Sequence, residues 1–263
     1  MPVVSEVCRF LDQMAPKELA EDWDNTGLLV GRADVDVSRI LTCLTLTSDV
    51  AKEALKQGAQ LIVSHHPVLF RGARAISDQT SEGRLLLELI QGAVAVYSAH
   101  TRFDSAQYGV NQQLAEGFGL RSVVPIRRSE CLPEIGSGRV GRLSGPCLLK
   151  DFLDVVREVC QAKYLEYCGE EDAVVEHVAV ACGAAAEFLD DAIAVGCDTF
   201  VTGEARFHSA LAARAAGVNL IVTGHYSSER PAMEWLADKL QASFTGVDVR
   251  ASINEQDPFR LSH

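Results

Sequence analysis

The sequence lacks the features of an exported or membrane-inserted chain. No apolar run approaches the roughly 18 residues that a membrane-spanning helix needs. The first residues, MPVVSEVCRFLDQM, carry acidic side chains and a helical period in place of a basic start and an apolar run. The eight cysteines include no C-x-x-C pair and mostly lie in apolar stretches, which favours reduced, buried thiols. We therefore expect a cytoplasmic protein that makes no contact with membranes.

Positive charge is also scarce. Lys and Arg total 24 against 36 Asp and Glu in 263 residues, so the formal net charge is −12. A chain of this charge is not drawn as a whole to nucleic acid, and we expect no nucleic-acid partner. There is also no G-x-x-x-x-G-K-[ST] phosphate loop, so the phosphates of a small-molecule substrate would need metal ions or local arginines. Arg74 and Arg102 are the candidates for that substrate-binding role.

The chain alternates between helical and strand patterns, which is typical of α/β proteins. The predicted helices are residues 3–14, 48–57, 81–91, 150–162, 184–195, 205–215 and 227–241, and the predicted strands are 27–31, 39–46, 61–64, 93–98, 174–182, 198–202 and 219–223. After about residue 121, prolines and glycines predict a connection with short strands. We expect two similar α/β lobes with mostly parallel sheets, residues 1–124 and 125–263, whose C-terminal segment can pack back on the first lobe.

Four nine-residue windows align without gaps and form an internal repeat. They are GAQLIVSHH (58–66), GAVAVYSAH (92–100), GCDTFVTGE (196–204) and GVNLIVTGH (217–225). Each begins with a Gly suited to a left-handed helix end, continues as an apolar strand with Ser or Thr at position seven, and ends on His or Glu. Since sites in parallel sheets form beyond the carboxyl ends of strands, we expect His66, His100, Glu204 and His225 there. The alternative is an architectural repeat whose polar ends are incidental.

The adjacent histidines of SHHP carry further information. Consecutive side chains of a strand point to opposite faces, so His65 and His66 converge only if the strand has ended and the chain is turning. Pro67 favours such a turn because it donates no ladder hydrogen bond and restricts the residue before it. The two imidazoles would then hold one divalent ion, or one ion each in a pair. Alternatively, they cap the sheet edge and bond backbone carbonyls.

Carboxylates follow two of the histidines at helical spacing. Asp104 lies four residues after His100, and Glu229 lies four residues after His225, so each pair falls within about one turn if the chain coils after its strand. Imidazoles and carboxylates together form the ligand set of Zn, Fe or Mn, and a carboxylate can bridge two ions. This pattern predicts a hydrolytic site with two divalent metal ions. The simpler alternatives are that Asp104 caps the next helix and that Glu229 pairs with an arginine.

At this point the sequence resembles a known family. The segments WDNTGLLVG (23–31), SHHPVLF, SAHTRFD, VTGE (201–204) and GHYSSER are similar to the motifs of the Nif-three-like proteins, also called GTP cyclohydrolase 1 type 2 homologues. The resemblance runs from residue 3 to about residue 250 and fits the short form, without an inserted middle domain. It implies a homohexameric toroid of two-lobed subunits, each with a dinuclear metal centre in its cleft at the carboxyl ends of strands.

The resemblance also implies roles for individual residues. His66 and Asp104 would bind one ion, His65 and His225 the other, and Glu229 would bridge both. His100 matches a family histidine close to the ions, which suits general acid/base catalysis.

The family-implied reaction is the hydrolytic opening of the GTP imidazole ring with release of formate. A di-metal phosphoesterase acting on a nucleotide or another phosphorylated substrate would use the same ligands, and a non-enzymatic metal-binding or partner-binding hexamer is the alternative from a different class. The chain departs from the family at Thr45, where many members have Asp, and at Arg102 and Phe103. Asp24 and Asn25 of WDNTG are either turn residues before Gly27 or face the substrate.

Overall fold

The computed structural model describes residues 1–73, 75–260 and 262. Contacts within the chain group them into two compact units: Met1–Phe103 with Ala232–His263, and Asp104–Pro231. These bounds differ from the sequence-based division at residue 124, because the helix and strand that follow residue 109 pack on the second sheet. Among the described residues, no helix combines the length and the apolar character that crossing a bilayer requires.

In chain order the helices are α1 Val4–Met14, α2 Ser48–Gln57, α3 Ser81–Gln91, α4 His100–Ser105, α5 Val110–Gly117, α6 Leu149–Val159, α7 Leu189–Ala194, α8 Phe207–Ala216, α9 His225–Glu229 and α10 Pro231–Ser243, with short 3-10 turns at Lys17–Leu19 and Ala186–Phe188. Helices α1, α2, α3, α6 and α8 begin within two residues of a predicted helix, α7 begins five residues later than predicted, and α4 and α5 are absent from the predicted helices. Thr47 caps α2, since its side chain accepts from the Val50 amide.

The last predicted helix, residues 227–241, is two helices. Pro231 cannot continue a hydrogen-bonded helix but suits a first helical position, so α10 starts there. The preceding helix α9 starts earlier than predicted, at His225. Both ends of the HYSSE segment therefore belong to one short helix.

The strands belong to two large sheets and one small one. They are β1 Gly27–Val30, β2 Arg39–Cys43, β3 Leu61–Ser64, β4 Ala95–Ser98, β5 Arg121–Val124, β6 Arg127–Arg128, β7 Gly136–Ser137, β8 Arg139–Leu148, β9 Glu166–Cys168, β10 Val174–Ala181, β11 Thr199–Thr202, β12 Asn219–Val222 and β13 Asp248–Ala251. The predicted α/β fold is confirmed, because parallel strands form the middle of both large sheets.

The first unit contains a five-stranded sheet in the order β1-β4-β3-β2-β13. The last four strands run parallel, and β1 is antiparallel at the edge. Every residue of β3 and β4 is buried, as expected for strands covered on both faces. The C-terminal segment belongs to this unit: β13 pairs with β2, and buried Glu53 of α2 accepts hydrogen bonds from Ser252, Ile253 and Asn254.

The second unit contains a six-stranded sheet in the order β5-β8-β10-β11-β12-β9. Strands β10, β11 and β12 are parallel, whereas β8 is antiparallel to β10. The expected short strands after residue 121 are present as β5, β6 and β7, but β8 differs, since it has ten residues and lies inside the sheet. The glycines in this stretch mark turns: Gly138, just before β8, has a φ of 62°.

The four repeat windows occupy neighbouring strands, β3 with β4 and β11 with β12. Gly58, Gly196 and Gly217 have φ angles of 66°, 76° and 71°, which confirms their left-handed conformation. Gly92 differs, with a φ of −77°, and Ala93 takes the left-handed position at 53°. Gly92 is instead required by close packing, because a Cβ there would collide with the Leu55 side chain.

Arg139 is a buried cation that fastens the start of β8. It is 2% exposed, and its guanidinium donates to the carbonyls of Gly136, Gly138, Ser105 and Ala106. Burial lowers the pKa of Arg139 to about 10, which still leaves it charged at neutral pH. The side chain therefore satisfies backbone oxygens that water does not reach.

We predict that Arg139→Met lowers the free energy of unfolding by about 3 to 5 kcal/mol, because it leaves buried carbonyls without a donor. Urea or thermal denaturation followed by circular dichroism measures the change. Arg157→Met is the matched control: it removes an exposed pair with Asp154 and should change stability by about 0.5 kcal/mol or less. Equal effects of the two substitutions would contradict the role of Arg139.

Candidate metal centre

The two adjacent histidines lie in a turn, as the sequence predicts. Strand β3 ends at Ser64, and the rings of His65 and His66 then lie 5.2 Å apart at an interplanar angle of 53°. Two hydroxyls at position seven of the repeat hold the turn: Ser64 Oγ donates to the His66 carbonyl at 2.9 Å, and Ser98 Oγ donates to the His65 carbonyl at 2.6 Å. The Ser residues of the repeat thus fix the backbone that carries the imidazoles.

A third histidine joins this pair within the first unit. His100 begins α4 directly after β4, and the rings of His65 and His66 lie 5.4 Å and 5.5 Å from its ring. One ring nitrogen from each of the three histidines falls within 4.8 Å of the others. Three imidazoles at this spacing form a donor set that suits Zn, Fe or Mn.

A hydrogen bond orients His66. Thr45 Oγ1 lies 2.8 Å from His66 Nδ1, so a metal ion at this ring would bind through Nε2. The Glu255 carboxylate lies close by, and it accepts from the backbone amides of Leu44 and Thr45 at 2.9 Å and 2.5 Å. The C-terminal segment therefore places a carboxylate beside this strand end.

His100 is paired with a buried carboxylate. Its Nδ1 lies 2.7 Å from Oδ1 of Asp24, whose side chain has no solvent exposure. Thr101 donates to the other Asp24 oxygen through its hydroxyl at 2.6 Å and its amide at 3.2 Å. Burial alone would raise the pKa of Asp24, but these hydrogen bonds and the charge of His100 hold it below its usual value.

The Asp24 contact fixes the tautomer and the direction of His100. An ionised carboxylate only accepts hydrogen bonds, so Nδ1 of His100 carries the proton and Nε2 is the basic nitrogen. His100 also has a φ of 37°, a left-handed conformation that is strained for a non-glycine residue. The surrounding hydrogen bonds hold the backbone in this state. Asp24 is thus more than a turn residue, and Asn25 donates to the Leu69 carbonyl at 2.6 Å.

The second unit has its own histidine, which lies between two carboxylates. His225 and Glu229 are the two ends of α9, with His225 Nε2 3.0 Å from Glu229 Oε2, and His225 Nδ1 is 2.7 Å from Glu204 Oε1. Burial alone would lower the pKa of His225, but Glu229 and Glu204 outweigh it and raise the pKa to about 9. A metal ion at Nε2 would have to displace this proton.

Asp104 and Cys182 form a further pair in the second unit. The Cys182 thiol, just after β10, donates to Asp104 Oδ1 at 3.2 Å. Burial, followed by the charges of Asp104 and Glu229, raises the pKa of Cys182, so the thiol stays protonated. Gly183 follows with a φ of 66°, and a Cβ there would collide with Glu229 Oε1. Glycine at this position therefore gives the Glu229 carboxylate its space.

A cavity of about 620 Å³ opens beside Glu204 in the second unit. Its polar lining includes Glu187, Asp190, Arg206 and His208 together with Glu204. Volumes of this order are typical of small-molecule sites. The sequence leaves the roles of Glu204 and His208 open; the structure places Glu204 against His225 and His208 in the cavity wall.

The two predicted substrate arginines have different outcomes. Arg102 is fully buried, and its guanidinium donates to the Ala15 carbonyl and, at 2.7 Å, to Asp12 Oδ1. Its charge stabilises the interior of the first unit, so the prediction that Arg102 contacts substrate does not fit its placement. No local pattern indicates these contacts, because the partners lie 87 and 90 residues away. Arg74 lies outside the described residues.

Three polar residues of the site are absent from the sequence-based ligand and catalytic assignments: Asp24, Cys182 and Glu204. Glu204 had a signal, since it ends one of the four repeat windows. Cys182 also stands at the end of an apolar strand, just before a glycine. This position is a weak signal, because buried cysteines are common in protein cores. Asp24 precedes a strand, so the rule that sites follow strands does not find it.

Comparisons with known proteins agree with this picture. A model of the family described as Duf34/NIF3 (NGG1p interacting factor 3) matches residues 2–258. The chain is 32% identical over 259 residues to the GTP cyclohydrolase 1 type 2 homolog of Clostridium perfringens, with 98% of this chain and 99% of that protein covered. It is also 32% identical over 269 residues to the protein NIF3 homolog of Schizosaccharomyces pombe, covering 97% and 96%.

Solved structures are similar over the whole chain. A Staphylococcus aureus protein has a TM-score of 0.90 at 28% identity, with 99% of both chains covered. A Bacillus cereus protein related to NIF3 has the same TM-score and coverage at 23% identity, which shows the likeness of fold alone.

We predict that Asp24→Asn moves the proton of neutral His100 from Nδ1 to Nε2, because the new amide can donate to Nδ1. Solid-state NMR of protein labelled with ¹⁵N-histidine distinguishes the tautomers, and a His100→Gln sample assigns the signal. Thr101→Val removes another Asp24 contact but keeps the carboxylate, so it should leave the tautomer unchanged. If neutral His100 is still protonated at Nδ1 in Asp24→Asn, Asp24 does not set the tautomer of His100.

Proposed function

The chain belongs to the DUF34/NIF3 family, and from this premise we propose that it is a dinuclear-metal hydrolase. The observation that carries the proposal is the cluster of His65, His66 and His100, whose ring nitrogens fall within 4.8 Å of one another. Converging nitrogens of this kind are typical of metal ligands, which we take His65 and His66 to be, and the third ring, His100, lies close enough to transfer protons beside the ions. The GTP cyclohydrolase 1 type 2 homologues among the relatives suggest the reaction.

We assign five ligands to two divalent ions of Zn, Fe or Mn. His66 and Asp104 would hold one ion, His65 and His225 the other, and Glu229 would be shared by both. The donor chemistry fits, because imidazole nitrogens and carboxylate oxygens are the ligand set of such ions. Thr45 and Glu204 contact Nδ1 of His66 and His225, so both rings would bind through Nε2, which in His225 must first lose the proton that it shares with Glu229. When bound, such ions act as Lewis acids that polarise the attacked group and lower the pKa of water.

The protein's own residues supply proton transfer and orientation. His100 Nε2 accepts a proton from the attacking water and returns it to the leaving nitrogen, while Asp24 holds the ring in the required tautomer. Glu204 orients His225 in the same way. In the proposed reaction on GTP, water adds to the imidazole carbon between the two nitrogens. One carbon–nitrogen bond then breaks and leaves the carbon as a formamide on the other nitrogen. A second water adds to the formamide carbon, the remaining carbon–nitrogen bond breaks, and formate and an amine are released.

We extend the proposal to a cytoplasmic homohexamer with a small-molecule, nucleotide substrate. The alternatives are a di-metal phosphoesterase and a non-enzymatic metal- or partner-binding hexamer, which would share these ligands. Assays with metal-loaded protein separate these functions. Turnover of GTP with formate release supports the proposed hydrolase, turnover of phosphodiesters supports the phosphoesterase, and turnover of neither supports the non-enzymatic protein. Light scattering tests the hexamer.

The bridging role of Glu229 predicts the effect of Glu229→Gln on metal content. The amide loses the negative charge and one donor oxygen, so the variant should hold at most one ion, weakly, and lose hydrolysis. Reconstituted parent protein should hold up to two ions per chain by elemental analysis. His225→Ala should keep the ion at His66 and Asp104.

The matched control is His177→Ala. His177 bonds the Gly196 carbonyl through Nδ1 at 2.9 Å and belongs to none of the ligand clusters among the described residues, so both ions should remain. If Glu229→Gln binds two ions with affinities within about threefold of the parent, a difference of about 0.7 kcal/mol, Glu229 is not a bridge.

Formate release tests His100. We predict that His100→Ala slows formate release from GTP by about a hundredfold or more and leaves the metal content unchanged, since general acid/base catalysis usually contributes on this scale. Formate is measured by a coupled assay and metal by elemental analysis of the same sample. Loss of metal in this variant would make His100 a ligand instead.

A further inference from the structure

Two aromatic side chains are exposed beside the histidine cluster. Trp23 is 59% exposed and Phe70 is 51% exposed, although large aromatic rings usually bury most of their surface. The ring centroids of Trp23 and Phe70 lie 5.7 Å apart at an interplanar angle of 52°. They form one continuous patch, which we call the aromatic pair.

The aromatic pair lies directly against His100. The ring of His100 is 5.9 Å from that of Trp23 and 6.2 Å from that of Phe70, and it stands nearly perpendicular to both, at 76° and 75°. A planar group that lies on the open face of either ring therefore has its edge next to the imidazole. Single exposed aromatics are common on protein surfaces, whereas a contacting pair beside a cluster of histidines indicates a binding surface.

Both rings are held in place by their neighbours. Trp23 precedes Asp24, whose buried carboxylate accepts from His100 and Thr101 and whose amide donates to the Glu21 carbonyl at 2.9 Å. Phe70 follows Leu69, whose carbonyl accepts from the Asn25 side chain at 2.6 Å. The two loops are thus tied to each other and to the site, so the rings offer a preformed surface with little ordering cost on binding.

We infer that the aromatic pair is the subsite that stacks a planar heteroaromatic ring of the substrate and presents its edge to His100. Charge supports this choice of occupant. Glu21 and Asp22 are exposed next to Trp23 and would accept hydrogen bonds from the N–H groups of a base, whereas they would repel a phosphate. Stacking on aromatic side chains suits any base because every base has a π face. The subsite rests on the proposed function, since it names the part of the substrate that binds near His100.

Tryptophan fluorescence tests the contact directly. The chain has two tryptophans, so Trp235→Phe leaves Trp23 as the sole emitter. Guanosine should quench Trp23 emission in a saturable way, whereas ribose 5-phosphate and inorganic triphosphate should not at the same concentration. Trp23→Phe, in which only Trp235 emits, is the control and should show no quenching. Equal quenching by ribose 5-phosphate would overturn the stacking proposal.

Affinity gives a second, independent measurement. By calorimetry, Trp23→Leu should weaken guanosine binding by about 5- to 150-fold, the range that alanine substitution of stacking residues produces. Trp23→Phe keeps a flat ring and should stay within about threefold of the parent. Metal content and circular dichroism should match the parent in both variants. Unchanged guanosine affinity in Trp23→Leu, or a parent that binds none of guanosine, adenosine and uridine at millimolar concentration, overturns the proposal.

Three further outcomes distinguish a substrate subsite from a subunit contact and from a failure of the proposed reaction. If Trp23→Leu changes the assembly mass in light scattering while guanosine affinity is unchanged, the aromatic pair is a contact between copies of the chain and the subsite is wrong. If guanosine stacks on Trp23 but no formate appears from GTP, the proposed reaction fails and the subsite stands. If GTP yields formate but guanosine does not contact Trp23, the proposed reaction stands and the subsite fails.

Discussion

A strand that is buried on both faces of a parallel sheet cannot carry a charge, and the rest of this protein's site depends on that constraint. β3 and β4 are fully buried and carry no charged side chain. Their side-chain hydroxyls all have acceptors: Tyr97 donates to Asp12, and Ser64 and Ser98 donate to carbonyls just beyond the strands. Polar side chains therefore appear where the strands end. There the helix or turn that follows aims them, and the rigid sheet fixes their starting points.

Three of the histidines have a polar neighbour at Nδ1, which orients the ring: His100 has Asp24, His225 has Glu204, and His66 has Thr45. For His100 the neighbouring carboxylate also sets which nitrogen is basic. Burying the Asp24 carboxylate is unfavourable by itself, but hydrogen bonds from His100 and Thr101 offset the loss of hydration. The same contacts stabilise the positive φ of His100, a backbone conformation that is unfavourable for a histidine without such support. Orientation of the imidazoles is thus built from hydrogen bonds to residues that need not touch a substrate.

Sequence reasoning succeeds where the signal is local. The helix that starts at Ser48 and ends before Gly58 follows from propensity and capping, and the turn at His65 and His66 follows from the pleat of a strand and from Pro67. It fails where the partners are distant. The glycines of β8 favour a connection, yet the register of this strand with β10 places it inside the sheet. Arg102 resembles a substrate contact in the sequence because its residue type does not reveal whether the side chain is exposed or buried.

Hydrophobic periodicity and glycine positions are local properties of the chain, so they are enough to specify the α/β class, the four repeated strand ends and the residue types that end them. The spacing of four residues between His100 and Asp104, and between His225 and Glu229, is likewise a local property. Which of these groups are oriented, and by which partners, depends on the folded chain. Asp24 lies 76 residues from His100 and Glu204 lies 21 residues from His225, and such pairs form only when separate strands are brought together. Burial is also a property of the folded chain: Arg102 is fully buried and has a structural role, whereas Trp23 is exposed, and no local sequence pattern indicates this difference.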